Sequence, residues 1–312
     1  SFQQIRGSIP LFWSQLPSLS YVPRLTMNDR LRSEAAYALH FGNIVRKYGA
    51  CHIVNLIDRK GFQLLLGKEF ELLHDKLVVQ QPQTYGEKVS FQWFDYHANI
   101  KGGNLTKLQQ FIDESETVLQ RFGHFQAFYD TLPGAANTTS SSRNAAVSMR
   151  VISKQTGVFR TNCIDCLDRT NVVQSFFAKY DSFRVLQKMA LQGPFESVLR
   201  PLPLTSEALF RHIWSNNGDC LSLLYAGTPA LKTDVTRFGK RMYSGMLNDA
   251  KHSLQRYFIN NFYDAERQNV YDFLTKNNVK SYPFYDANSG SNFIKTSLLL
   301  LALPVASHLL RT

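Results

Sequence analysis

The sequence predicts an α/β fold: a mixed, partly parallel β-sheet flanked by helices. Two patterns carry this prediction. Residues 50–57, 67–77 and 89–96 follow one another as strand, helix and strand, an order that is typical of α/β proteins. Further along the chain, an extended segment leads through a short loop into a helical run that begins near Thr170. We therefore expect at least two strand–helix connections.

Each element has its own sequence pattern. The first strand is a short apolar run rich in β-branched residues, and Asp58-Arg59-Lys60-Gly61 ends it with a turn. The helix at 67–77 carries apolar residues at roughly helical spacing: Phe70, Leu72, Leu73 and Leu77. Residues 105–122 also carry an apolar stripe, although its phase is imperfect. From residue 206 onward we predict helices again, with these residues on core faces: Phe210, Ile213, Trp214, Leu221, Leu224 and Tyr225.

Two segments differ from these packed elements. Residues 132–146 are small, polar and aperiodic, so we expect a flexible surface insertion. Residues 296–310 carry no formal charge, but a helix of this length reaches only ~22 Å, short of the ~30 Å hydrocarbon core. The segment is the start of a membrane helix, a buried terminal helix or an interfacial anchor. Four consecutive leucines without a polar stripe favour the first interpretation.

Composition restricts the class of protein. The chain has 312 residues, 44% of them apolar, which excludes disorder throughout. Its formal net charge of +11 favours a polyanionic partner, either nucleic acid or an anionic membrane. Neither zinc-finger spacing nor an RNA-recognition signature is present, so we do not expect nucleic acid. Four cysteines are too few for a disulfide-stapled scaffold, and Cys51 and Cys220 are expected to be core thiols.

The most informative segment is a loop that begins at Cys163 and ends at Arg169, with five residues between them. A loop between a strand and a helix can wrap a phosphate, because its backbone N–H groups point inward and the helix dipole favours an anion. The backbone of Ile164, Cys166, Leu167 and Asn171 would then contribute to phosphate binding. The same field favours a thiolate at Cys163, which could attack phosphorus, while Arg169 could hold two equatorial oxygens with a bidentate fork.

Other functions of this segment are less well supported. Cys163 and Cys166 form a Cys-x-x-Cys motif, which occurs in zinc sites and dithiol oxidoreductases. A zinc ion needs two further ligands, and the chain contains no second Cys-x-x-Cys or paired-histidine motif. We therefore expect neither a metal nor another cofactor.

The sequence resembles the Sac-domain phosphoinositide phosphatases over most of its length. The segments that resemble this family, in the family's order, are Arg6-Gly7-Ser8-Ile9-Pro10 with Trp13, Phe94-Asp95-Tyr96-His97, Arg160 to Asn171, Trp214 to Asp219, Tyr225 to Thr228, Arg256-Tyr257 and Asn260-Asn261-Phe262. The apolar tail resembles the integral-membrane branch of the endoplasmic reticulum and Golgi. This resemblance implies a catalytic region at 1–292, with the family's N-terminal subdomain missing upstream, and the start of a C-terminal anchor at 293–312.

The resemblance also implies roles for the loop residues. Cys163 would form a cysteinyl-phosphate intermediate and Arg169 would clamp the phosphate, as the loop chemistry also suggests. Asp165 is our candidate general acid, although a structural ion pair or helix cap explains it equally well. For Asp168 the structural role is favoured. Thr170 could donate its hydroxyl group to the sulfur, or it could simply be an N-cap.

Candidates outside the loop are weaker. His97 follows a predicted strand and could contact substrate, although a structural histidine is the more common case. Lys101 could bind the inositol phosphate, or it could lie in a solvated turn. The polar cluster 216–219 is expected to order the loop.

The function we expect is a metal-independent lipid phosphatase on the cytosolic side of the endoplasmic reticulum or Golgi membrane, most simply converting phosphatidylinositol 4-phosphate to phosphatidylinositol. Its partners would be the phosphoinositide substrate and an anionic membrane surface that attracts basic residues. Two alternatives remain: a phosphotyrosine or dual-specificity protein phosphatase, and a membrane-tethered adaptor with an incidental phosphatase fold.

Overall fold

The structure is a computed structural model that describes residues 1–15, 24–100, 104–131, 147–189, 196–203, 206–238, 242–263 and 268–271. The chain divides into two compact units. The first unit comprises Ser1–Phe12, Asp29–Cys166 and Phe176–Pro201. The second comprises Trp13–Asn28, Leu167–Ser175 and Leu202–Thr312. The predicted insertion at 132–146, Lys101 and the apolar tail lie outside the described residues.

The described elements are strands and helices in the first part of the chain and helices alone after β8. The strands are β1 (Gln4–Arg6), β2 (Trp13–Gln15), β3 (Leu25–Met27), β4 (Cys51–Asn55), β5 (Val89–Trp93), β6 (Gln126–Thr131), β7 (Val147–Ser153) and β8 (Val158–Asn162). The helices are α1 (Arg30–Tyr48), α2 (Gly61–Gln80), α3 (Pro82–Tyr85), α4 (Tyr96–Asn99), α5 (Thr106–Glu114), α6 (Glu116–Phe122), α7 (Asp168–Lys188), α8 (Ser206–Ala226), α9 (Thr233–Phe238) and α10 (Tyr243–Phe262).

The main sheet of the first unit confirms the α/β prediction. Its strand order is β1-β8-β4-β5, and all three pairings are parallel. All five residues of β4 and all five of β8 are buried, as expected for central strands of a parallel sheet. The antiparallel pairs β2-β3 and β6-β7 form separate two-stranded sheets rather than extensions of this one. The carboxyl ends of the four parallel strands therefore lie along a single edge.

The predicted helix at 105–122 is two helices, α5 and α6, separated at Ser115. The Ser115 hydroxyl group donates to the Phe111 carbonyl oxygen at 2.8 Å, a local bond that competes with regular helix geometry. Buried residues on both sides of the break are Leu108, Phe111, Ile112, Leu119 and Phe122. Their spacing still follows the helical repeat, so the break at Ser115 interrupts the helix without moving its apolar face to another side.

Helix α8 in the second unit exists as predicted, but its buried face differs from the prediction. Ile213, Leu224 and Tyr225 are exposed. The buried residues are small or polar: Ser215, Gly218, Asp219, Ser222 and Ala226. Cys220 is also exposed, so its assignment as a core thiol was wrong, whereas Cys51 is buried as expected. The prediction placed the apolar residues of α8 on its buried face. It was wrong because this helix packs through hydrogen bonds and close backbone approach.

Among the helices in the described part of the chain, none has both the length and the apolar composition that a membrane span requires.

Candidate active site

Cys163 directly follows β8, the strand that pairs with parallel neighbours on both sides. Its side chain is fully buried. The carboxyl ends of the strands in open α/β sheets border the crevice where ligands bind. The strand therefore delivers the predicted nucleophile to the edge at which such folds usually place their chemistry.

The backbone after Cys163 turns back toward its sulfur. Cys166 has a φ of 55°, a left-handed conformation that is uncommon for a residue with a side chain. In this conformation, the Cys166 N–H donates to the Cys163 Sγ at 3.1 Å. A backbone N–H aimed at sulfur stabilises a thiolate relative to the thiol. The first half of the loop is thus shaped to hold an anion.

Asp165 is the exposed residue of this half of the loop. The Cys163 thiol donates a hydrogen bond to Asp165 Oδ1 over 3.2 Å. This contact places a carboxyl group beside the sulfur, at a distance over which the two groups can exchange a proton.

The segment after β1 holds Cys166 in place. The Cys166 thiol donates to the Gly7 carbonyl oxygen at 3.0 Å, and Arg6 Nη1 donates to the Cys166 carbonyl oxygen at 3.2 Å. Hydrogen bonding with Cys163 lowers the pKa of the Cys166 thiol below its ordinary value, against the opposing effect of burial. The Arg6-Gly7 motif is therefore part of the site.

Arg160 lies inside β8, and the sequence analysis gave it no role of its own. The residue is 1% exposed. Its guanidinium donates to the Ser8 carbonyl oxygen, to Asn162 Oδ1 at 3.3 Å and to His40 Nε2 at 3.0 Å. The sequence signal was a charged residue in the middle of an otherwise uncharged predicted strand.

The second half of the loop leads into α7, whose helical residues begin at Asp168. Arg169 and Thr170 are buried in its first turn. Thr170 therefore lies inside the helix and is not its N-cap, so the cap interpretation of Thr170 was wrong. Leu167 is also buried, and its carbonyl oxygen accepts from the Asn171 N–H at 2.9 Å, while Ile164 in the first half is half-buried.

Asp168 is engaged by other groups of the second unit. Arg256 Nη1 donates to Asp168 Oδ2 at 2.8 Å, and Arg256 Nη2 lies 3.4 Å from Oδ1. The Leu231 N–H donates to the same carboxylate at 2.6 Å. Asp168 is thus paired with an arginine and a backbone N–H, and its role, structural or catalytic, stays a prediction.

Asn171 holds α7 against α8 within the second unit. Its amide donates to the Trp214 carbonyl oxygen at 2.9 Å and accepts from Asn217 Nδ2 at 2.9 Å. A Cβ atom on Gly218 would lie 2.8 Å from Asn171 Nδ2, so the contact requires glycine. These bonds show how part of the polar cluster at 216–219 can order the start of α7.

His97 lies in α4, beyond the carboxyl end of β5. Its Nδ1 is 2.9 Å from Asp58 Oδ1, and its side chain is 45% exposed. Asp58 follows β4, so this pair occupies the same sheet edge as Cys163 within the first unit. Asp58 was not identified as a site residue from sequence, although it stands in the turn that was predicted to end the strand.

The residues that the structure describes contain no potential metal site, which would need a group of at least three histidine, cysteine, aspartate or glutamate side chains.

Comparison with known proteins identifies relatives over most of the chain. Residues 1–101 match the family model described as SacI homology domain. Over 276 residues, 88% of this chain, the sequence is 40% identical to Phosphatidylinositol-3-phosphatase SAC1 of Drosophila melanogaster, covering 42% of that protein.

Two further relatives give a similar picture. Identity to Phosphatidylinositol-3-phosphatase SAC1 of Saccharomyces cerevisiae is 34%, covering 87% of this chain and 40% of that protein. Identity to human Phosphatidylinositide phosphatase SAC2 is also 34%, covering 88% of this chain and 22% of that protein. The chain thus spans less than half the length of these relatives. The resemblance noted in the sequence is confirmed.

Proposed function

We propose that this chain, which is similar to the Sac phosphoinositide phosphatases, hydrolyses the phosphate monoester of phosphatidylinositol phosphates. The reaction runs through a cysteinyl-phosphate intermediate, and phosphatidylinositol 4-phosphate is the simplest substrate. The observation that carries the proposal is the N–H of Cys166 directed at the sulfur of Cys163, at the carboxyl end of a central parallel strand.

In the first step, the Cys163 thiol gives its proton to Asp165 and the sulfur attacks phosphorus. The bond between phosphorus and the inositol oxygen breaks, and protonated Asp165 returns the proton to that oxygen. The hydrogen bond between Cys163 and Asp165 supports this path. Arg169 binds two equatorial oxygens as charge builds on them, and the backbone of Ile164, Cys166 and Leu167 completes the cradle.

In the second step, water attacks phosphorus and the bond between phosphorus and sulfur breaks. Asp165, now a carboxylate, takes a proton from the water, and inorganic phosphate leaves. Thr170 donates its hydroxyl group to the departing sulfur. His97, held by Asp58, and Lys101 contact the inositol phosphate.

We also place the protein on the cytosolic side of the endoplasmic reticulum or Golgi membrane, with residues 293–312 as the start of an anchor. The net charge of +11 and the uncharged stretch at 296–310 support this location. In a vesicle sedimentation assay, binding should increase with the fraction of anionic lipid, and deletion of 293–312 should weaken it. Binding that is independent of both would contradict this placement.

The function is tested by phosphate release from vesicles that each contain one phosphoinositide isomer, in the presence of EDTA. We expect activity that EDTA does not abolish and a loss of at least about 1,000-fold in Cys163→Ser, since the hydroxyl group is a far weaker nucleophile at neutral pH. Cys220→Ser is the matched control, because it makes the same chemical change at an exposed site.

Two outcomes would contradict the proposal. A clear preference for phosphotyrosine peptides over every phosphoinositide would identify a protein phosphatase. Undiminished activity in Cys163→Ser would remove the cysteinyl-phosphate mechanism.

The role of Asp165 has a separate test. Asp165→Asn should reduce turnover of phosphoinositide by about 100-fold or more, the usual contribution of a general acid. The loss should be much smaller with para-nitrophenyl phosphate, whose leaving group needs no proton. Asp113→Asn, a change at an exposed carboxylate elsewhere in the first unit, serves as the control. Equal losses with both substrates would assign Asp165 a structural role instead.

A further inference from the structure

Arg160 is a buried cation whose partners are all neutral or weakly acidic. Its three hydrogen-bond acceptors are a backbone carbonyl, an amide oxygen and an imidazole nitrogen. Burial, reinforced by Arg160 itself, lowers the pKa of His40 to about 4, so the imidazole is neutral at physiological pH. Within the described part of the chain, no carboxylate forms an ion pair with Arg160.

A charge buried in this way is costly unless an opposite charge balances it. Three acidic groups interact electrostatically with Arg160: Cys166, Cys51 and Tyr37. Burial raises the pKa of Cys51 to about 12 and raises that of Tyr37 well above its ordinary value, so both stay neutral. The pKa of Cys166 moves in the opposite direction, because its hydrogen bond with Cys163 lowers it.

Contacts around the guanidinium connect it to the loop from two sides. Asn162, which accepts from Arg160, directly precedes Cys163. On the other side, a Cβ atom on Gly7 would lie 3.3 Å from Arg160 Nη2, and the Gly7 carbonyl oxygen accepts from the Cys166 thiol. The guanidinium is therefore fixed beside the two residues that hold the loop cysteines.

We propose that Arg160 is a positioning residue whose buried guanidinium supplies the fixed positive charge that balances the anion of the Cys163–Cys166 thiol pair. The inference rests on the proposed function for its catalytic meaning. Arg169 binds the substrate's oxygens from the loop, whereas Arg160 acts on the sulfur from within the sheet and does not touch substrate. Its charge makes the thiolate easier to form when Cys163 gives its proton to Asp165.

The experiment is a pH titration of the thiolate by its ultraviolet absorbance, which needs no substrate. The same titration in a Cys163→Ser/Cys166→Ser double variant is subtracted, so the difference reports the loop pair alone. In Arg160→Met, we expect the midpoint to rise by about one to two pH units, the usual effect of losing a nearby opposite charge. Arg160→Gln, which is neutral but keeps hydrogen-bonding capacity, should give a similar rise.

Two controls separate charge from packing. Phe159→Leu removes volume from the adjacent, fully buried position of β8 without changing any charge, and its midpoint should equal that of the wild type. Arg160→Lys keeps the charge but loses the planar fork that reaches three acceptors. Its midpoint should stay within about half a unit of the wild type, well below the shift expected for the neutral variants.

A folded Arg160→Met or Arg160→Gln variant with the wild-type midpoint would overturn the proposal. If neither neutral variant folds, Arg160→Lys decides: a rise of about one unit or more in that variant would show that geometry, not charge, sets the acidity of the pair. If the wild-type protein hydrolyses no phosphoinositide but the titration shows the expected shifts, the proposed function fails and the electrostatic role of Arg160 stands.

Discussion

Arg160 in the first unit is a buried arginine and Arg256 in the second is a half-buried one, and their surroundings differ in charge. Arg256 faces a carboxylate: its guanidinium holds Asp168 at 2.8 Å and also donates to Ser222 and Thr228. Arg160 has only neutral acceptors. A matched pair is a structural connection, whereas an unmatched charge remains available to act on its neighbours. The comparison therefore separates Arg256, which stabilises the fold, from Arg160, which we propose acts on the loop thiols.

The largest expected effect is the loss of the matched pair. Arg256→Met leaves the Asp168 carboxylate buried without its cation, so the free energy of unfolding should fall by about 3–5 kcal/mol. Arg160→Met leaves no carboxylate unpaired and should cost about 1–3 kcal/mol through lost hydrogen bonds. Urea unfolding measures both. Arg200→Met removes an exposed pair with Glu196 and should cost at most about 0.5 kcal/mol. Equal losses of unfolding free energy in Arg256→Met and Arg160→Met would contradict the proposed difference between the two arginines.

The second largest effect is a fall in the free energy of unfolding at acidic pH, caused by histidines near Arg160. Burial lowers the pKa of His52, on the neighbouring strand, to about 4, while the unfolded chain keeps the ordinary value of 6.5. Between these values the unfolded state binds the proton and the folded state does not, so the free energy of unfolding falls as pH falls. The complete loss is about 3 kcal/mol for His52. His40 adds to it in the same direction.

His52→Gln should flatten this pH dependence, measured as urea unfolding between pH 6.5 and pH 4. His212→Gln, at an exposed site, is the control and should leave the slope unchanged. If the unfolding free energy of His52→Gln falls with pH as steeply as that of the wild type, His52 does not cause the loss of stability in acid.

The smallest effects concern the two glycines beside these networks. Gly218→Ala places a Cβ atom 2.8 Å from Asn171, whose amide is held at both ends, and should cost about 1–2 kcal/mol despite a helix-propensity gain of about 1 kcal/mol. Gly7→Ala meets Arg160 at 3.3 Å and should cost less than about 1 kcal/mol. Thermal unfolding compares them. A larger loss of stability in Gly7→Ala than in Gly218→Ala would show that Arg160 accommodates an added methyl group less well than Asn171 does.

Local sequence determined much of this protein. Apolar runs at 50–57 and 89–96 specified β4 and β5, and the helical spacing of the apolar residues after Thr170 specified α7, namely Val172, Val173, Phe176, Phe177 and Tyr180. Such patterns are readable because burial in a strand or helix depends on neighbours along the chain. The interval between Cys163 and Arg169 identified the loop for the same reason, since its residues act within one short segment.

Only the tertiary structure decided which charges meet. Arg256 lies 88 positions from Asp168, and Ser8 lies 152 positions from Arg160, so no local pattern connects them. The buried face of α8 also escaped prediction, because it is formed by small and polar residues whose partners lie elsewhere in the second unit. Long-range pairing fixes the electrostatic environment of a buried group, and a linear pattern of hydrophobicity does not contain that information.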